Sequence, residues 1–370
     1  MARQKKLAIE QVLRPLSAQI VGSYSKPGWL IRKDKAFRFG AEPWRPDAEV
    51  LNEARADAAR LAIYEQERAD LDIVTDGEAQ RAAYDRYFYA RIGGVDVAHL
   101  ADRPSKPKPA SGNGSLEEDR AAELDWIQSN LPRITAPLTW KEPLSLNELQ
   151  FLKRHTAKPA KVTIVGPVTA YDKMSDEYYN NPESGIAALA RVVNQELRAL
   201  DREGADIIQI DEPRFHTHAE FALQYGLEAL EIATEGLRAP IVVHVCYGYA
   251  YYAGKKSTSD AYADVLSYLA SSDRVAAISL EYEQPNHQPD LLRACGDKHV
   301  VLGLLNLGTH EVETPDHIAS RLKDALEVVP MQRLHACSDC GMWHLPRTIA
   351  FAKIKALAEG ARMVRQELRG

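Results

Sequence analysis

The chain has 370 residues, 45% of them hydrophobic and 26% charged, with a formal net charge of −6. This composition supplies a large core and excludes a disordered chain, and the acidic balance argues against a nucleic-acid partner, whose phosphates call for a basic surface. Four cysteines in a chain this long are no disulfide framework, so the cytoplasm is the default compartment and the thiols are free for metal binding or catalysis.

The N-terminal stretch "MARQKKLAIEQVLRPL" is basic and then amphipathic, without the apolar centre of a secretory signal. No apolar run in the chain approaches membrane-spanning length. Short apolar runs then alternate with longer helical patterns. Eight strands are predicted: 18–24 (AQIVGSY), 71–77 (LDIVTDG), 161–167 (KVTIVGP), 205–213 (ADIIQIDEP), 240–248 (PIVVHVCYG), 275–283 (VAAISLEYE), 299–308 (HVVLGLLNLG) and 333–341 (RLHACSDCG). Most are nearly continuous in apolar residues, the mark of parallel strands covered on both faces. Between them, 184–204 reads as a helix closed by Gly204, and 314–329 as a helix with Thr314 at the N-cap and Pro315 at the first position. The alternation predicts an α/β fold of the (β/α)8 TIM-barrel type, spanning 1–370 as one domain; an open doubly wound sheet is the alternative. Residues 93–150 break the rhythm. They include the Pro-, Gly- and Ser-rich run 101–118 and read as an insertion between the second and third strands, with a protruding hairpin.

The strand ends carry the chemistry. They read "GSY", "DGE", "DEP", "HVC", "EYE" and "SDC", and barrel active sites lie at the C-terminal ends of the strands. His244 and Cys246, two apart on one strand, point the same way. Glu281, His335, Cys337 and Cys340 are further candidates for a shared metal, and sulfur-rich ligation favours zinc. The competing reading is a hydrogen-bonded histidine with cysteines that pack as small hydrophobes, which suits Cys295. Residues three apart on a strand face opposite sides, so one of Cys337 and Cys340 belongs to the core. Cys340, beside Gly341 at the strand exit, is better placed for the mouth.

The motifs "IIQIDEP", "HVCY", "GPVT" and "DCG", in this order, resemble the C-terminal catalytic domain of cobalamin-independent methionine synthase. The resemblance runs from "VGSY" near residue 21 to "SDCG" near 341. It implies a zinc-dependent barrel with ligands His244, Cys246, Glu281 and Cys340, Glu283 being the rival for the carboxylate. It implies a homocysteine-like thiol substrate held by Gly22, Ser23, Glu78 and Asp211. The bound metal would keep the substrate thiol deprotonated at neutral pH, ready to take a methyl group.

The sequence departs from the family at several points. The chain has room for one barrel where the folate-dependent enzymes have two. Lys173 stands where folate users carry a tryptophan. Glu313, in "EVETP", takes the place of a catalytic histidine and is the candidate proton carrier. The resemblance therefore implies a methyltransferase of methionine biosynthesis whose donor is either folate or a methylated corrinoid protein. Relatives that open an epoxide with coenzyme M use the same zinc–thiolate chemistry, and their sulfonate would need cations such as Lys26, Lys173 or Arg214. A non-catalytic zinc-binding barrel is the alternative of another class.

Overall fold

A computed structural model describes residues 9–35, 42–100, 131–247 and 261–368. The sequence-predicted loop 101–118 lies outside them. Nine strands are present among the described residues: β1 (Ile92–Asp96), β2 (Arg133–Trp140), β3 (Lys161–Val165), β4 (Ser175–Asp176), β5 (Ile207–Asp211), β6 (Ile241–Val245), β7 (Val275–Leu280), β8 (His299–Gly303) and β9 (Leu334–Cys337). Six of them form one wholly parallel sheet in the order β3-β5-β6-β7-β8-β9. These are the third to eighth predicted strands, and the fold is the α/β barrel type that the alternation predicted.

The first two predicted strands form only isolated bridges. Ala18 bridges Ala336 and Val74 bridges Ala160, both in parallel sense. Asp72 N donates to Ala18 O at 2.9 Å, so the segments around 18 and 73 join the two sheet edges β9 and β3. Asp72 itself holds this seam. Its carboxylate accepts from Ala18 N at 2.8 Å and from Arg365 at 2.8 Å on the C-terminal helix Arg347–Glu367. The helices between strands behave as their sequences dictate. Pro182–Glu203 starts two residues before the predicted bound, capped by Asn181, and ends at Gly204 with φ +84°. Only glycine adopts that backbone freely. Pro315–Leu326 starts under Thr314, whose hydroxyl accepts from His317 N at 3.1 Å.

The barrel interior explains where the polar groups end up. Val21, Ile73, Ile207, Val242, Ala277, Val301 and Cys337 pack together inside, closed below by Ile9 and Leu13 of the N-terminal segment. Side chains alternate along a strand, so the residues two and four beyond these share the inward face. Above Ile207 come Gln209 and Asp211; above Val242 come His244 and Cys246; above Ala277 come Ser279 and Glu281. The inner face is thus apolar at the base and polar at the C-terminal mouth. Outside the barrel, β1 pairs with β2 in antiparallel register, and β2 pairs with β4.

Candidate active site at the barrel mouth

Strand register sets the centre of the site. Asp211 is paired with His244, and His244 with Ser279, so three inward side chains stand abreast on β5, β6 and β7. Ser279 Oγ lies 2.9 Å from His244 Nδ1 and orients the ring. The other nitrogen, Nε2, is buried without a hydrogen-bond partner among the described residues. Of the side chains around it, Cys246 acts most strongly on the ring. His244, Cys246 and Cys340 offer ligand atoms all within 4.8 Å of one another. One imidazole and two thiols, with the second imidazole nitrogen already fixed by a hydroxyl, are a donor set that suits zinc. Glu281 is fully buried next to them, and its Oε1 accepts from Tyr247 N at 3.0 Å. His244 is held above its ordinary pKa: burial pushes it down, but the charges of Cys246, Asp211 and Glu281 outweigh that.

The cavity at this mouth encloses about 360 Å³ including its opening. Val21, Ser23, Glu78, Tyr84, Asp211, Pro213, His244, Cys246, Cys340 and Gly341 line it. It therefore brings the metal-capable trio together with Ser23, Glu78 and Asp211. Gly22 lies immediately behind: a Cβ there would come within 2.6 Å of Glu78 Oε1 and 2.7 Å of Thr163 Cγ2. Its role is to let the backbone approach Glu78. Glu78 itself has φ +51°, an uncommon backbone for a residue with a side chain. The turn is enforced locally. Asp76 Oδ1 accepts from Glu78 N at 3.0 Å, and Thr75 Oγ1 accepts from Gly77 N at 3.1 Å. Thr163 Oγ1 then donates to Glu78 Oε1 at 2.9 Å. Such strain persists where the surroundings over-determine it, as they do here.

The two acids of "DEP" separate cleanly. Burial pushes the Asp211 carboxyl up to about 7, with Glu78 adding to the rise and His244 opposing it. Glu212 is turned away: it accepts from Val168 N at 3.1 Å and Thr169 N at 2.8 Å, fixing the start of the helix Pro167–Asp172. Asp211 belongs to the cavity and Glu212 to the scaffold.

The remaining candidates have other occupations. Glu313 lies in a buried ion pair with Lys353 Nζ at 2.9 Å, and it also accepts from Asn306 N at 2.8 Å. It is not among the cavity-lining residues. Glu283 pairs with His317 at 2.7 Å and Arg321 at 2.9 Å on the outer helix Pro315–Leu326. Cys337 sits in the interior cluster, its thiol pushed up to about 11 by burial. His335 lies near the barrel base, 3.0 Å from both Ser17 Oγ and His299 Nδ1. Cys295 is fully buried, with its thiol pushed up to about 12 by burial.

Two residues of this mouth escaped the sequence reading. Tyr84 lines the cavity, and Lys173 Nζ donates to its hydroxyl. Six residues after Glu78, it carried no motif signal. Ser279 was findable, since it precedes Glu281 by two and so shares its face.

A parallel α/β barrel with a histidine, two thiols and carboxylates gathered at one mouth is the build of a barrel enzyme. The family model for the catalytic domain of cobalamin-independent synthases matches residues 117–363. The methionine synthase of Thermococcus kodakarensis is 30% identical over 355 residues, covering 95% of this chain and 94% of the relative. That of Saccharolobus solfataricus is 30% identical over 357 residues, 96% of each chain. The solved structure of a B12-independent methionine synthase from Shewanella sp. W3-18-1, in complex with selenomethionine, is 30% identical with a TM-score of 0.79, covering 97% of this chain and 99% of the other. The chain belongs to the cobalamin-independent methionine synthase family, in its catalytic domain.

Proposed function

We propose that the protein is a zinc-dependent thiol methyltransferase that methylates homocysteine to methionine in the cytoplasm, working as one barrel domain with 93–150 as its insertion. One observation carries this reading. The buried, oriented His244 meets two thiols in the same cavity that holds Glu78 and Asp211. The ligands would be His244, Cys246 and Cys340, with Glu281 as the fourth and displaceable one. Two ionised cysteines match the charge of one zinc ion, which eases its burial. Zinc bound there would supply the charge that keeps a substrate thiol ionised at neutral pH.

The chain's own residues do the rest. Ser279 keeps His244 in the ligating tautomer. Glu78 and Asp211 hold the substrate ammonium, while Gly22 and Ser23 shape the end that receives its carboxylate. Burial of the cavity strengthens each of these contacts relative to water. Glu313 acts through Lys353, fixing the loop that follows β8 rather than carrying a proton to the reacting atoms. The selenomethionine bound to the Shewanella relative is the selenium analogue of methionine, which supports an amino-acid thioether as product. Lys173 is engaged by Asp85 at 3.1 Å and by Tyr84, so it offers no flat surface for a pterin; the methyl donor is then a methylated corrinoid protein in preference to folate.

Metal analysis should find about one zinc per chain, lost in the His244→Ala, Cys246→Ala double variant. With homocysteine and methylcobalamin or methyltetrahydrofolate as donors, methionine should form with at least one. Absence of zinc from the wild-type protein would sink the proposal. Turnover of coenzyme M with an epoxide, and none of homocysteine, would move it to the epoxide-opening alternative.

A further inference from the structure

A groove larger than the cavity at the mouth opens on the outer flank of the barrel. It encloses about 920 Å³ including its opening and shares no lining residue with that cavity. Its walls come from the end of β2, from the last turns of the helix Pro182–Glu203, and from the turn that enters β6 at its N-terminal end. It therefore lies towards the barrel base, away from the site described above.

Three guanidiniums gather in this groove, those of Arg198, Arg202 and Arg238, against one carboxylate, Asp201. Three less one leaves a local excess of two positive charges, on a chain whose net charge is −6. The carboxylate is already occupied. Asp201 Oδ1 accepts from Ala239 N at 2.8 Å and Arg238 N at 3.2 Å, and Oδ2 accepts from Arg238 Nε at 3.2 Å. Arg198 and Arg202 stand four apart on one helix face, and neither makes an ion pair among the described residues. Arg202 Nε donates to Arg198 O at 3.2 Å, which turns the side chain along the groove. Arg198 is seated on Gly236: a Cβ there would stand 2.4 Å from its Nη2 and 3.2 Å from its Cζ. Gly236 has φ +77°, a backbone that glycine adopts freely. The negative end of a helix favours a cation, which accounts for an arginine in the last turn. It does not account for a guanidinium laid across onto a glycine of another element. Trp140 adds an aromatic wall, held by its Nε1 donating to Glu196 at 2.9 Å.

Guanidinium forks match phosphate and carboxylate alike, but a phosphate monoester carries close to two charges at neutral pH and a carboxylate one. We propose that this groove binds a phosphorylated small molecule, with the phosphoryl group on Arg198 and Arg202 and the body of the ligand against Trp140. The site is independent of the thiol chemistry at the mouth.

The test titrates the zinc-loaded full chain calorimetrically with phenyl phosphate, inorganic phosphate and phenylacetate. The wild-type protein should bind about one phenyl phosphate per chain. Inorganic phosphate should bind more weakly for want of the ring, and phenylacetate roughly tenfold more weakly for want of the second charge. An Arg198→Gln, Arg202→Gln double variant should lose roughly tenfold or more in phenyl phosphate affinity. Arg198→Lys keeps the charge without the fork and should fall between the two. Zinc content and melting temperature equal to wild type show that each variant is folded; should the double variant not fold, Arg198→Gln alone carries the comparison. No binding of phenyl phosphate by the wild-type protein overturns the site. So does binding that the arginine variants leave unchanged, as it would be for a phosphate taken up at the mouth. Phenylacetate binding as tightly as phenyl phosphate overturns the phosphate class, and equal affinity for the two phosphates overturns the part given to Trp140.

Discussion

Ser279 and Gly22 show how the site depends on residues that stand behind those lining the cavity. Ser279 Oγ holds His244 Nδ1 at 2.9 Å and thereby aims Nε2 at the thiols. Partners of metal-ligating histidines are typically worth 10- to 100-fold in metal affinity. Ser279→Ala should therefore weaken zinc binding by about that factor in competition with a chelator, while the melting curve of the metal-free protein stays nearly unchanged. Gly22→Ala places a methyl 2.6 Å from Glu78 Oε1. Overpacking of this kind costs about 1–3 kcal/mol, and here the group displaced is a cavity carboxylate. Reduced stability in denaturant and weakened homocysteine binding should appear together; normal binding in that variant would remove Glu78 from the substrate site. At this scale the sequence displayed His244, Cys246, Cys340 and Asp211 through their strand-end positions. It could not display Tyr84, because nothing in "AAYDRY" says which way that ring turns.

Among the elements, caps and turns were the most legible features, since their causes are local. Thr314 accepts from His317 N as its position before Pro315 implied. Thr314→Ala should lower stability by about 1 kcal/mol in chemical denaturation. The loop after β8 is held differently. Glu313 and Lys353 are forty residues apart and form a buried pair, Lys353 being wholly inaccessible. Removing one partner of such a pair costs roughly 3–5 kcal/mol. Lys353→Met should therefore be markedly destabilised in denaturant, and a Glu313→Gln, Lys353→Met double variant less so than the single change. The sequence placed Glu313 where relatives carry a proton carrier, but could not reveal Lys353, whose approach depends on how the last helix packs against the barrel.

At the scale of the whole molecule, two acid-sensitive groups sit at the barrel base and seam. Burial pulls the Asp72 carboxyl upward, but hydrogen bonds from Arg365 and Ala18 N outweigh that and leave it below its ordinary value. Its contribution is present at neutral pH and is lost as pH falls through that lowered value. His335 is pushed from 6.5 down to about 3, first by burial and then by the neighbouring His299. Between those values the unfolded chain binds a proton that the folded chain refuses, so stability falls as pH drops below 6.5. Both effects have the same sign. Asp211 and Glu212, pushed up to about 7, and Asp76, pushed up to about 6, act with the opposite sign, because there the folded chain binds the proton first. The difference in unfolding free energy between His335→Gln and the wild-type protein should therefore move in favour of the variant as pH falls from 6.5 to 4, and a difference that stays constant over that range would contradict the burial of a neutral His335.

By itself the sequence determined the alternation of parallel strands and helices, the caps of two helices and the side of the barrel on which chemistry gathers. Each follows from spacing along the chain: period two in strands, period 3.6 in helices, and turn residues at fixed offsets. Only the tertiary structure decided that 18–24 and 71–77 bridge the sheet edges without forming ladders, because Asp72, Ala18 and Arg365 meet from three distant segments. Strand spacing already preferred Cys340 to Cys337, and the structure places Cys340 at the mouth and Cys337 in the core. The choice between the acids was the structure's alone: Glu281 turned inward beside His244 and Glu283 outward to Arg321. Such a choice depends on register and packing between strands far apart in sequence, which local spacing does not encode.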